Sequence, residues 1–421
     1  MLSQLIRSFR LGRRQDDEVV PESSDVPATF QPFSEEFIED PYRFFKALRQ
    51  KDPIHRAESG AWVISRYEDV KNALSDRRLS NAPSPYAVVN RRNSERFVCA
   101  DVANNLIAFM DMPDHAKPRS LIARAFHQHM RGSLPDLDHL AVDCLKALPD
   151  RGKVELLESF ATPFALQVIA KLMGIPKGDF NQIKSWTNDF FYLFSLIPSE
   201  EVRVQLDRSL SEFRSYFLDL IQQRRSSPEN DLISALLQSA QSVDTISDAQ
   251  LVDNCMLLFA DGVENVDSGI LNAVLCLLLH PEELSKFRSQ PELIDKVVEE
   301  CLRFESPAQF IGRVPTEDIE LHGNKIRAGT PILLLLASAN RDEDVFPHPD
   351  RFDVSRMKNP YLSFGSGKHS CVGGALVKVE YKAALNALFA KYRKINLVEN
   401  NPKWSVRLGH RWLECLDLRL G

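Results

Sequence analysis

Along this chain apolar positions recur with the period of an α-helix over most of the length, and strand-like patterns are confined to short stretches. The helical rhythm begins at Pro41–Leu48. A short strand signature follows at Trp62-Val-Ile-Ser65, and then Asn81-Ala-Pro-Ser-Pro-Tyr86 with the polar stretch to about residue 104 reads as a long loop, a feature that is usually functional in a compact protein. From residue 115 to 280 the pattern is almost wholly helical, with breaks at Pro135, Pro149, the Gly174-Ile-Pro-Lys-Gly turn, Pro198 and Ser226-Ser-Pro. One segment dominates. Ser247 with Gln250 three residues later is a capping-box signature. The pattern then runs without proline to His280, where Pro281 stops it, which predicts a helix of about 50 Å. Such a helix crosses the molecule, and its middle, Asp261-Gly-Val-Glu-Asn265, is polar inside an apolar run. A kink with a solvated face is one account of that interruption; a functional groove is the other.

Beyond residue 313 the pattern changes. Ile319–Ile326 reads as a hairpin with a Gly323-Asn324 turn, Ile332–Leu336 as a buried strand and Gly373–Tyr392 as a helix. The expected class is mostly α with a minor β region (α+β): a flexible tail over residues 1–28 and one domain over 29–421.

Composition narrows the function. With 44% hydrophobic and 26% charged residues in 421, the chain is ordinary for a globular protein, which excludes a disordered or fibrous one. Fifty-two basic against 58 acidic residues give −6, so no nucleic-acid partner is expected. The N-terminal stretch spaces Arg7, Arg10, Arg13 and Arg14 among Leu2, Leu5, Ile6 and Phe9. A solvated tail is the simpler reading of it than a membrane-surface helix. Ile270–Leu279, interrupted by Asn272, falls short of the ~20 apolar residues that a membrane span needs. No signal-peptide cleavage site follows a long apolar region, so the expected location is cytoplasmic. Seven cysteines, sparse and odd in number, exclude a disulfide scaffold. Cys99, Cys144, Cys255, Cys276, Cys301 and Cys415 read as inert thiols.

Cys371 stands apart, in Phe364-Gly-Ser-Gly-Lys-His-Ser-Cys371-Val-Gly-Gly-Ala375, between glycines at the start of a predicted helix. Glycines let the backbone turn tightly and approach a partner closely. A helix N-terminus offers amide donors and positive potential that stabilise a thiolate. The physical reading is an anionic sulfur presented to a metal or electrophile, with Phe364 placed to pack on a flat cofactor and His369 to meet an anionic substituent. Zinc would need further ligands at close spacing, and His369 alone is nearby.

Phe364-Gly-x-Gly-x-His-x-Cys371-x-Gly373 resembles the haem-binding loop of the cytochrome P450 family, and three further segments fall in the expected order. Glu300-Cys-Leu-Arg303 resembles the family's Glu-x-x-Arg helix, completed by Arg351 of Pro349-Asp-Arg351-Phe. Asp111-Met-Pro-Asp-His115-Ala-Lys-Pro-Arg119 resembles the segment that holds one haem propionate, and Arg313 matches the arginine on the other. The resemblance spans about residues 30 to 420. It implies the P450 fold, a triangular helical domain with the long helix over the distal face of the haem. It implies haem b with Cys371 thiolate as iron ligand, an arrangement that favours O–O cleavage. His115, Arg119 and Arg313 then serve the propionates, and Phe364, Gly365, His369 and Gly373 form the cofactor loop. Dioxygen would be activated with electrons from an external donor, a ferredoxin with its reductase, since the chain has no room for a fused flavin domain. Lys117, Arg119, Arg124 and Lys368 are the basic residues expected to steer such an acidic partner to the cysteine face of a monomer.

In the family's pattern the middle of the distal helix reads Ala/Gly-Gly-x-Asp/Glu-Thr. Here Gly262 and Glu264 match, Asn265 replaces the threonine and Asp261 replaces a small residue. These four are the candidate catalytic residues. Asp261 would either anchor a polar substrate group or bond locally at a kink. An amide does not relay a proton as a hydroxyl does, so two activities stay open. One is monooxygenation, the hydroxylation or oxidative dealkylation of a small, apolar or aromatic, secondary-metabolite-like substrate. The other is oxidative phenol coupling without oxygen insertion. A haem sensor or carrier is the non-enzymatic alternative, disfavoured by Glu264 in the groove. The pocket walls are expected at Leu257, Leu258, Phe310 and Phe191, with the Ser84–Leu106 loop and the turn near Trp412.

Overall fold

The structure, a computed structural model, describes residues 26–241, 246–399 and 401–421. The basic N-terminal segment therefore lies outside the described residues. Of the expected tail, Val26 is buried, and its carbonyl accepts a hydrogen bond from Lys51 at 2.9 Å.

The central helix spans Asp248–Leu279. Ser247 Oγ accepts from the Gln250 N–H at 3.1 Å and Gln250 Oε1 accepts from the Ser247 N–H at 3.0 Å, closing the capping box. Helices Thr162–Met173, Phe180–Phe190, Glu200–Ser226 and Gly374–Lys391 pack around it, so it is apolar on nearly all faces. At 32 residues it is long and apolar enough to cross a membrane, which the Ile270–Leu279 stretch alone did not indicate, but most of its apolar length is buried inside the protein. The neighbouring helices stop where the breaks lie. Ala116–Ser133 ends ahead of Pro135, and Thr162–Met173 ends at Gly174.

Ten strands are described: β1 (Ile54–Arg56), β2 (Trp62–Ile64), β3 (Leu79–Ser80), β4 (Gly152–Glu155), β5 (Ile311–Pro315), β6 (Ile319–Leu321), β7 (Asn324–Ile326), β8 (Ile332–Leu334), β9 (Ile395–Leu397) and β10 (Asp417–Leu420). The main sheet has the order β1-β2-β8-β5-β3, and its β3–β5 pairing sets Ser80 opposite Val314, next to Arg313. A second sheet, β4-β10-β9, closes the C-terminal end.

Three local expectations change. The loop after residue 81 contains a helix, Val98–Asn105, which buries Cys99, Val102 and Ala103. The β6–β7 turn is His322-Gly323, one residue earlier than expected, with φ of 49° and 78°. A two-residue hairpin turn of this hand needs positive φ at both positions, and Asn324 is already paired with Leu321. The strand ends at Leu334, and Leu336–Ala339 is a helical turn.

Candidate active site

Cys371 is half-buried, just ahead of the Gly374–Lys391 helix. Gly365 and Gly367, with φ of 65° and 73°, turn the loop back through conformations open to glycine, and the Cys371 N–H donates to the Phe364 carbonyl at 2.9 Å. A side chain at Gly373 would stand 3.9 Å from the sulfur, and one at Gly374 would stand 3.4 Å from the Phe364 ring. The amides of Gly373 and Gly374 lower the thiol pKa, as a helix start should. Burial first, and then the Asp261 carboxylate, outweigh them and push it up to about 12. The helix start alone does not offset the burial of this thiol, and a cation at the sulfur would favour the thiolate.

Around this loop stand two cations without acids. Arg313 is buried and Arg119 half-buried, yet among the described residues neither has a carboxylate at ion-pair distance. Arg119 donates to the Ser370 carbonyl at 2.5 Å and Arg313 to the Gly312 carbonyl at 2.8 Å. Burial lowers both pKa values, Arg313 to about 10. Asp111, which offsets part of that shift, is occupied: it accepts from the Ser80 hydroxyl and from the Asn81 N–H at 2.8 Å. Guanidinium groups withdrawn from water require anionic, preferably bidentate, partners. Two of them beside a half-buried thiol fit a flat cofactor that carries two carboxylates and a thiol-binding metal, as haem does.

His115 and His369 stack at 3.8 Å between ring centroids. Burial, reinforced by Arg119 for His115 and by His115 and Arg313 for His369, lowers their pKa values to about 4 and about 3. Both shifts favour the neutral ring, which offers one N–H. Asn81 Nδ2, held 3.4 Å from Asp111 Oδ1, stands 3.1 Å from His369 Nε2, so it donates there and leaves the His369 proton on Nδ1. Asn81 and Asp111 stood in the sequence without an assigned role; no local signal links Asn81 to a histidine 288 positions away.

The central helix is continuous through Asp261–Asn265. Gly262 serves packing: a Cβ there would fall 2.9 Å from Ile169 Cγ1. Glu264 is buried, paired with Lys184 at 2.8 Å, and it accepts from the Thr187 hydroxyl. Asp261 and Asn265 instead bond to each other, Asn265 Nδ2 donating to Asp261 Oδ1 at 2.7 Å, and burial raises the Asp261 pKa. The Asp261 charge acts on Cys371, whereas Gly262 and Glu264 face neighbouring helices.

Glu300 and Arg303 are fully buried, with bonds of 2.7 Å from both Arg303 Nε and Nη2. The third arm is not Arg351. Its carbonyl accepts from Arg303 Nη2 at 3.2 Å while its side chain is exposed. Arg356 takes that place, its Nε donating to Glu300 Oε2 at 3.2 Å, with Asp353 N and Asn359 Nδ2 completing the carboxylate's partners. The chain wraps Glu300 after turning its carbonyls toward Arg303, so the guanidinium that returns is five residues later than expected. Of the expected pocket residues, Leu257, Leu258 and Phe191 share one apolar cluster, Phe191 packing on Trp412 at 5.1 Å. Phe310 falls in another, against Phe30 at 5.6 Å. Lys117, Arg124 and Lys368 are exposed.

A model of the cytochrome P450 family matches residues 39–405. The biotin biosynthesis cytochrome P450 of Bacillus subtilis (strain 168) is 35% identical over 390 residues, covering 91% of this chain and 97% of that protein. The polyketide biosynthesis cytochrome P450 PksS of the same organism is 32% identical over 411 residues, covering 93% and 98%. Among solved structures, P450BioI in complex with hexadec-9Z-enoic acid ligated acyl carrier protein is similar with a TM-score of 0.85 and 34% identity, covering 92% of this chain and 99% of that one. CalO2 is similar with a TM-score of 0.86 and 29% identity, covering 94% and 99%. The chain belongs to the cytochrome P450 family, has its fold, and is an oxidoreductase of that family. Haem iron, dioxygen and electrons from outside the chain are what this family uses.

Proposed function

We propose that the chain is a monooxygenase that hydroxylates or oxidatively dealkylates a small apolar or aromatic molecule of the secondary-metabolite kind. Residues 29–421 form its catalytic domain, haem b is its cofactor, and a ferredoxin with its reductase is its electron donor. The observation that carries the reading is the pair of buried Arg313 and half-buried Arg119, which have no carboxylate at ion-pair distance among the described residues, near a loop with a free thiol. When bound, haem supplies dioxygen activation at its iron. Cys371 would hold the metal, Arg119 and Arg313 would hold the two carboxylates, and His115 and His369 would add neutral N–H donors. Phe364 and the glycines of the loop shape the cysteine side. Leu257, Leu258 and Phe191 exclude water from the substrate side, where Asp261 and Asn265 supply the polar groups. Exposed Lys117, Arg124 and Lys368 offer positive charge to an acidic redox protein. The reading includes a cytoplasmic monomer with no nucleic-acid partner. The biosynthetic roles named for the two relatives support a biosynthetic intermediate as substrate.

The test is spectroscopic. The reduced, CO-treated protein should show a Soret band at the thiolate position, and Cys371→Ala should abolish it; an unchanged spectrum in the variant overturns the reading. Product formed under labelled dioxygen should carry the label. The second reading, oxidative coupling without oxygen insertion, is favoured by one observation: both ends of the Asn265 amide are engaged, by Asp261 and by Trp412, so it offers no free hydroxyl-like relay. Coupling leaves the product unlabelled.

A further inference from the structure

The C-terminal turn is fastened to the face of the central helix that carries Asp261. Asn272 Nδ2 donates to the Arg411 carbonyl at 2.9 Å, and Trp412 Nε1 donates to Asn265 Oδ1 at 3.3 Å. Asn265 Nδ2 passes the chain on to Asp261 Oδ1 at 2.7 Å. Its direction is fixed by chemistry. An indole N–H only donates, so the amide must turn its oxygen to Trp412 and its nitrogen to the carboxylate; the flipped amide would set N–H against N–H and oxygen against oxygen. Trp412 itself cannot swing away. It is buried, with ring centroids 4.6 Å from His410 and 5.1 Å from Phe191, and its carbonyl accepts from the Ser405 N–H at 2.8 Å.

We propose that Trp412 is a positioning residue of the substrate side: it locks the Asn265 amide, and through that amide it holds Asp261 so that Oδ2, which has no protein partner among the described residues, is the oxygen left to exchange protons with the groove. The proposal rests on the haem-thiolate reading. It accounts for the two departures from the family pattern together, because Asn265 acts as a bracket and Asp261 replaces the missing hydroxyl. The charged or titratable groups around Asp261 fit that role. Cys371 feels the Asp261 charge, and Glu264 is paired with Lys184 of another helix at 2.8 Å. Burial favours the protonated form of Asp261.

The experiment uses the holoenzyme. Infrared difference spectra between wild type and Asp261→Asn identify the Asp261 carboxyl band. Trp412→Phe keeps the aromatic volume and removes only the donor. It should shift that band and lower product formed per reductant consumed by about fivefold, the value of one hydrogen bond. In an Asn265→Leu background, which severs both bonds, Trp412→Phe should have no further effect on either readout. If Trp412→Phe fails to retain haem, Asn265→Leu alone carries the test through the same band shift. An unmoved band in these variants, or an equal loss in the Asn265→Leu background, overturns the proposal. A wild type that lacks the thiolate CO spectrum would instead overturn the underlying reading.

Discussion

The Lys184 ammonium stands 2.8 Å from the Glu264 carboxylate, joining the Phe180–Phe190 helix to the middle of the central helix across 80 positions of sequence. Burial lowers the Lys184 pKa, but the carboxylates of Glu264 and Asp267 outweigh it and raise the net value. Asp267, whose own pKa is raised by burial and by the Glu264 charge, accepts from the Thr162 hydroxyl at 2.7 Å. Removing the cation strands a buried carboxylate. Lys184→Met should therefore cost about 2–4 kcal/mol, whereas adding Glu264→Gln to it should recover part of the loss. Urea unfolding of wild type, Lys184→Met, Glu264→Gln and the double variant checks this; losses that add would show that the pair is not coupled.

The Glu300 network makes a sharper distinction between two arginines. Arg356 reaches the carboxylate with its guanidinium, while Arg351 contributes only a carbonyl. Arg356→Ala should lower stability by about 1–3 kcal/mol, because a fully buried carboxylate loses a charged donor. Arg351→Ala should stay within about 0.5 kcal/mol of wild type. Denaturation midpoints that rank the two the other way would restore Arg351 as the third arm.

The contrast marks what a sequence makes legible. The central helix was readable to within one residue at each end because its capping box and Pro281 are local signals. The cysteine loop was readable because its glycines, His369 and Cys371 lie within a few residues of one another. Arg356 was missed because the third arm depends on how the chain turns around Glu300, and a motif taken from spacing points to the nearer arginine. Asn81 on His369 and Trp412 on Asn265 join residues 288 and 147 positions apart, and only tertiary packing brings them together. Strand β4 escaped notice for the same reason: its four residues acquire strand character by pairing with β10.

Stability should fall in mild acid. Burial holds His115 and His369 neutral with pKa values of about 4 and about 3, below the ordinary 6.5. The unfolded chain takes up these protons first, so the contribution is fully present above about 6.5 and is lost as pH falls through about 4 and about 3. Urea midpoints of the haem-free protein should therefore drop from about pH 7 to about pH 5. The double variant His115→Gln/His369→Gln should show a shallower drop. An equal drop in the variant would assign the acid sensitivity elsewhere.

Gly262 offers a change of sign. Replacing glycine by alanine inside a helix ordinarily stabilises by up to about 1 kcal/mol. Here the added methyl group would stand 2.9 Å from Ile169 Cγ1 and 3.0 Å from its Cδ1, and Ile169 is itself buried at 1% exposure, with no room to turn aside. Overpacking of this kind costs about 1–3 kcal/mol, so Gly262→Ala should be net destabilising. In an Ile169→Ala background both crowding atoms are gone and the nearest Ile169 atom that remains, Cβ, lies at 3.3 Å. There the same substitution should become neutral or stabilising. Two pairs of urea curves decide the matter, because a Gly262→Ala variant that is stabilised with Ile169 intact would remove the packing role and return Gly262 to the groove.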